Sequence, residues 1–208
     1  MWYDGVIMID LWEPRADQLS LVSWYESLAA HVQIKNVKCI VNACYMSAID
    51  YVQDHSHYNT MRIYNKLGDN NGIHKDYCQN DQLLLNNLHN SRGLNRTSQV
   101  INQKLLNNNR SIFITNPEDF LHHWEHVLKK QVNNWLVIGQ AWQICVHNRP
   151  IGLKHLSTLI KEFPLKFYGT HWGFVDENGG TITQKHFKKD SLPWTRIGHG
   201  IYELGYNK

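Results

Sequence analysis

The chain has 208 residues, 42% of them hydrophobic and 12% aromatic, enough to bury a sizeable core, which excludes a polar disordered chain. Its formal net charge of +3 is spread along the sequence, so the clustered basic face of a nucleic-acid binder is not expected. No apolar run approaches the roughly 20 residues that span a bilayer, and MWYDGVIMIDLWEP has no basic start like that of a signal peptide.

In chain order, GVIMIDL (5–11) is a nearly continuous apolar run ending at an aspartate, the pattern of a fully buried parallel strand. Residues 16–31 place Leu19, Val22, Trp24, Leu28 and Ala29 near helical spacing, and VKCIVNA (37–43) reads as a second buried strand. Strand, helix, strand is a βαβ unit. The stretch 44–110 is polar and Asn-rich, with a short strand at MRIYNKL, a short helix at DQLLLNNLH and turns at GDNNG and LNNNR. A structureless loop that long is unusual in a compact domain, so an insertion or lid is expected there.

SIFIT (111–115) begins a regular β-α-β-α-β series. The helix NPEDFLHHWEHVLKKQ has a capping Asn116, Pro117 in its first turn, Glu118 and Asp119 at its positive end, and Lys129 and Lys130 for its last turn. WLVIGQ (135–140) is the next strand, about 150–162 a helix, and LKFYG (165–169) a further strand. ENGG (177–180) reads as a hairpin turn, and WTRIGHGIYEL as a last strand or an arm onto a partner. The expectation is a single α/β domain over 1–208, three-layer α/β/α with a mostly parallel central sheet.

Ligands of open parallel sheets gather beyond the carboxyl ends of the strands. Polar candidates stand at four such ends: Asp10, then Asn42 with Cys44, then Thr115 with Asn116, then Gln140 through Cys145. A cysteine at the opening of a helix or turn can be held as thiolate by the backbone N–H dipoles, and a neighbouring carboxylate can move its proton. Cys145 with Asp10 fits that chemistry; a buried Cys145 serving as a small hydrophobe fits the same local pattern. Cys39, Cys44, Cys78 and Cys145 make no CxxC pair, so a reduced, cytoplasmic setting is the expectation.

VIMIDLW together with NPEDFLHHWEHVLKKQVNNWLVIGQAWQICV resembles the isochorismatase-like hydrolases, which include nicotinamidases and other cysteine amidohydrolases on a flavodoxin-like sheet. GQAWQICV (139–146) keeps the Gly, Cys and Val of the family's G-x-x-T-D-x-C-V segment, and Asp10 matches its aspartate after the first strand. The resemblance covers 1–43 and 111–169. It implies Cys145 as nucleophile, Asp10 as acid and base, backbone N–H groups around Trp142 to Cys145 for the oxyanion, and a small amide or related C–N or C–O substrate. Trp12, Asn116, Ala141 and Trp142 are the expected pocket residues.

The chain departs from the family at two points. The lysine expected near the end of SIFIT is replaced by Thr115, Asn116 and Pro117, leaving Lys66, Lys75, Arg92 or Arg96 as candidate substitutes. Trp142 and Gln143 stand where Thr and Asp are usual, and a bulky indole there could fill the pocket. These departures point to the competing class, a non-catalytic relative used for ligand binding or assembly.

Asp54, His55 and His57 faintly resemble the Asp/His metal site of nicotinamidase-like members, and His122 with His126 share a helix face at i, i+4. Neither is a convincing ligand set, and no metal or cofactor is expected. The basic run Lys185, Lys188 and Lys189 around His186 reads as a solvated surface. The expected partner is a small-molecule substrate or ligand, with neither membrane nor nucleic acid, and the family's habit of forming dimers or tetramers raises the expectation of a homo-oligomer.

Overall fold

The computed structural model describes residues 2–9, 37–43, 62–65, 75–78, 111–114 and 117–206, with backbone alone at 42, 62–65, 75–78 and 111–113. The expected helices at 16–31 and in DQLLLNNLH lie outside these residues. Among these residues nine strands form one mixed sheet: β1 (Gly5–Ile9), β2 (Cys39–Ala43), β3 (Arg62–Asn65), β4 (Lys75–Cys78), β5 (Ser111–Ile114), β6 (Asn134–Gly139), β7 (Lys166–Thr170), β8 (Trp194–Gly198) and β9 (Ile201–Leu204). Their order is β4-β3-β5-β2-β1-β6-β7-β9-β8. The pairs β3–β5, β5–β2, β2–β1, β1–β6 and β6–β7 are parallel, and β4–β3, β7–β9 and β9–β8 antiparallel.

The apolar runs form the middle of the sheet because both of its faces are buried there. Successive side chains of a strand point to opposite faces. Ile7, Ile9, Cys39, Val41, Trp135 and Val137 accordingly join one core cluster, and Val6, Met8, Ile40, Leu136 and Ile138 the other. Each aliphatic side chain so buried contributes about 1.5–3 kcal/mol. On the first face lie helices α1 (Pro117–His122) and α2 (Leu153–Glu162), which place Phe120, Leu153 and Leu156 in the same cluster. Phe120 meets the Trp135 indole edge-on at 5.1 Å between ring centres.

Three sequence expectations need correction. First, the helix after SIFIT does not run to the lysines: α1 widens into a π-helical turn at His123–Val127, and Lys129 and Lys130 follow it with φ of 50° and 58°. Those left-handed residues end the helix, so the lysines are not in its last turn. Second, the stretch 44–110 includes two paired strands, not one: β3 and the unforeseen β4 extend the sheet beyond β5. Third, WTRIGHGIYEL is a hairpin, β8 and β9, turning at Gly200 with φ 70° and joining the sheet through β9 against β7. The ENGG expectation holds: Asp176 N–H donates to Gly180 O at 2.9 Å, and Val175 bridges Thr181.

Chain order and sheet order part company beside β1. From β1 the sheet passes through β2 to β5 on one side, and β6 then begins the other side. β1 and β6 therefore flank a topological switch point, where ligands of such sheets bind. Strand ends coincide there, with Ile9 paired to both Ala43 and Gly139, and Ala43 to Ile114.

Gly139 makes this closure sterically feasible. A Cβ at this position would lie 2.7 Å from Ile9 O and 2.9 Å from Val146 Cγ2. A backbone oxygen cannot move aside as a flexible side chain can. Gly139→Ala is therefore expected to destabilise the fold by about 1–3 kcal/mol, read as a lower midpoint in urea unfolding. An unchanged midpoint would show that β1 and β6 are not packed this closely.

Candidate functional site

The chain leaves β6 through Gln140 and turns at Ala141, whose φ of 59° and ψ of 65° are left-handed. A residue with a Cβ is held there at a cost of about 1–2 kcal/mol. That conformation aims the Ala141 carbonyl at the next turn, where it accepts from the N–H groups of Ile144, Cys145 and Val146 at 3.1, 2.8 and 3.2 Å. Trp142–Val146 is consequently a π-helical turn at the carboxyl end of β6, with Cys145 half-buried within it. Cys145 thus occupies a turn at the switch-point edge. Asp10, Trp12 and Asn116 lie outside the described residues, although Asp10 directly follows Ile9, the residue paired with Gly139.

The expected oxyanion donors are engaged. Trp142 N–H donates to Val175 O at 3.0 Å, Gln143 N–H to Glu177 Oε1 at 2.7 Å, and those of Ile144 and Cys145 to Ala141 O. The chain after β7 causes the first two contacts. It passes a short 3-10 turn (His171–Gly173), makes a parallel bridge from Phe174 to Gly139, and lays Val175 to Glu177 beside the Cys145 turn. Glu177 is the only side chain among the three acceptors of these four N–H groups, so a rotamer change would release Gln143 N–H while the other three stay bound to backbone.

Trp142 is 3% exposed, and its indole points into an aromatic cluster. It meets His147 and Phe174 at 4.7 Å and Phe187 at 5.2 Å between ring centres. Phe187 belongs to α3 (Gln184–Lys189) and stacks at 4.0 Å on Tyr202 of β9. The indole expected to fill a pocket therefore anchors the Cys145 turn to the C-terminal third of the chain.

Beside it lies a pair that sequence reading missed. His147 and Asp190 are 6% and 4% exposed at their side chains, with Nε2 2.9 Å from Oδ1 and 3.0 Å from Oδ2. The other ring nitrogen, Nδ1, meets Trp142 O. Neither nitrogen is left to act on a substrate, so His147 is a strut and not a base. Asp190 also accepts from Trp194 Nε1–H at 2.7 Å and Leu192 N–H at 3.3 Å. Burial works against its ionisation, but the hydrogen bonds from His147 and Trp194, the His147 charge and the Leu192 N–H outweigh it and hold the carboxyl below its usual range. Forty-three residues separate the partners, and no spacing rule links such positions.

Trp142, Gln143, His147 and Asp190 also line a cleft of about 530 Å³, with Lys154, Thr183, Lys185, His186, Lys189 and Ser191 completing its wall. Lys185, His186 and Lys189 of the basic run read as a solvated surface thus border a concavity. Other candidates stay apart from it. His122 and His126 face each other at 4.2 Å between ring centres on α1 and the π-helical turn after it, and Glu125 beside them pairs with Lys130 at 2.6 Å. Among the described residues no group of His, Cys, Asp and Glu is placed to hold a metal, and no helix is long and apolar enough to cross a membrane. Asp54, His55, His57, Lys66, Arg92 and Arg96 lie outside those residues, and Lys75 is in β4.

No family model, curated protein or solved structure matches this chain.

The Asp190 carboxylate generates a pH prediction. Its native pKa is depressed, so its stabilisation is present above the unfolded value near 3.9 and disappears as pH falls through the native value. Asp190→Asn is expected to lower stability at pH 7 by about 2–3 kcal/mol, because it leaves a buried partner inadequately matched. The loss should shrink below about pH 4. Urea midpoints measured across pH 3 to 7 test this, and a pH-independent loss would contradict it.

Proposed function

We infer that this chain is a divergent cysteine hydrolase of isochorismatase-like type, acting on a small amide or related substrate at the switch point between β1 and β6. In this reading the domain is three-layer α/β/α around a predominantly parallel sheet, working in a reduced cytoplasmic setting. The observation that carries it is the placement of Cys145 on a constrained turn directly after Gly139, while Asp10 directly follows the Ile9 paired with Gly139. The ends of β1 and β6 lie at one edge of the sheet, and the two chemically complementary residues follow those strands in sequence.

The chemistry follows from those two groups. Asp10 takes the Cys145 proton, and the thiolate adds to the substrate carbonyl carbon. Collapse of the tetrahedral adduct breaks the C–N bond as Asp10 returns the proton to the departing nitrogen, leaving a thioester. Asp10 then takes a proton from water, the hydroxide adds to the thioester carbonyl, and the C–S bond breaks to give the acid and the thiol. Amide plus water becomes acid plus amine. Gln143 N–H, once Glu177 swings away, is the donor best suited to the oxyanion.

A second reading has an observation of its own. The N–H groups from Trp142 to Cys145 are all engaged and the indole is packed into the core, which suits a ligand-binding relative without catalysis. Ammonia release from a panel of small primary amides separates the two. Wild type is expected to turn over at least one, with Cys145→Ala and Asp10→Asn each lowering kcat by about 100-fold or more. A panel with no turnover would transfer the case to the binding protein, and turnover that survives Cys145→Ala would overturn Cys145 as the nucleophile.

A further inference from the structure

The cleft beside the Cys145 turn has a charge pattern that the hydrolase reading does not use. Lys154, Lys185 and Lys189 all border it, and none of the three makes an ion pair among the described residues. Lys154 Nζ has only a neutral partner, Asn148 Oδ1, at 2.7 Å. Among the described residues the single carboxylate in the lining, Asp190, is committed to His147, Trp194 and Leu192. Its charge is thus offset before it reaches the cleft.

Hydrogen-bond polarity agrees with the charge. His186 Nδ1 accepts the Thr183 N–H at 3.0 Å, so the ring proton sits on Nε2 and His186 is a donor. Gln143 and Ser191 supply further polar groups to the lining. Low-dielectric walls around like charges focus the field and concentrate a counter-charged solute. The volume of about 530 Å³ lies within the range of small-molecule sites, roughly 300–1,000 Å³.

We propose that this cleft binds a small molecule bearing a phosphate or diphosphate group. Lysine ammoniums act as point charges suited to phosphate oxygens, and a phosphate, with about −1.5 to −2 charge and three acceptor oxygens, matches three such charges better than a single carboxylate does. The phosphate lies among Lys154, Lys185 and Lys189, and the organic part extends toward Gln143 and the edge of Trp142. Because Cys145 is not in the lining, the site stands whether or not that thiol is catalytic.

Titration calorimetry of the full chain with inorganic pyrophosphate at about 0.15 M salt tests the site, with a short single-stranded oligonucleotide as a second titrant. The result expected is saturable one-to-one pyrophosphate binding, weakened about tenfold or more by Lys185→Gln with Lys189→Gln. Lys188→Gln removes one charge from the same helix but lies outside the lining, and should change affinity by less than about twofold. Thermal unfolding midpoints equal to wild type confirm that the variants fold, and if the double variant does not, Lys154→Gln replaces it. Absent saturation, an equal loss in Lys188→Gln, or an oligonucleotide bound more tightly than pyrophosphate would each overturn the proposal.

Discussion

The closure of β1 on β6 is the constraint from which the rest of the architecture follows. Ile9 and Gly139 end their strands side by side, so closely that a methyl group at 139 would overlap the Ile9 carbonyl. That contact fixes where the chain must turn out of the sheet. The left-handed Ala141, the π-helical turn and the position of Cys145 are consequences of leaving the sheet at this point without colliding with β1.

A second layer of constraint comes from far along the chain. The Cys145 turn is held from outside by Val175 O, by the Glu177 carboxylate, and by the aromatic packing of Trp142 on Phe174 and Phe187. The His147–Asp190 pair ties the same turn to the end of α3, and Trp194 carries the connection into the β8–β9 hairpin. The C-terminal third therefore supports the site by packing. It also contributes most of the basic groups of the adjoining cleft, so turn and cleft share Trp142, Gln143 and His147 while differing in chemistry.

What was legible in the sequence follows a physical rule. GVIMI, CIVNA and NWLVIG are strands because an apolar run too short for a helix has little alternative to a doubly buried position in a sheet, and SIFI is a strand beside them. Pro117 with Glu118 and Asp119 marked a helix start for equally local reasons. Its end was misread because Lys129 and Lys130 adopt left-handed φ, which no local signal of theirs demands. β4 was missed because KDYC carries no period of its own and is a strand by pairing with β3. The His147–Asp190 pair was invisible because burial of two polar groups is decided by tertiary packing. Trp142 was noticed as an obstruction, but only the fold shows that its bulk is directed into the core. Of the expected pocket residues, Trp142 opens the turn and Ala141 precedes it, while Trp12 and Asn116, like the expected catalytic Asp10, lie outside the described residues.

The central claim is that the turn after β6 presents Cys145 as an activated thiolate served by Asp10. The most direct measurement is the rate of iodoacetamide labelling between about pH 5 and 9, around the ordinary thiol pKa of about 8.5, with mass spectrometry locating the modified cysteine. The account predicts rapid labelling of Cys145 below pH 7 that Asp10→Asn abolishes. Slow labelling that rises only near pH 8.5, and equally in Asp10→Asn, would contradict it and leave Cys145 as part of the core.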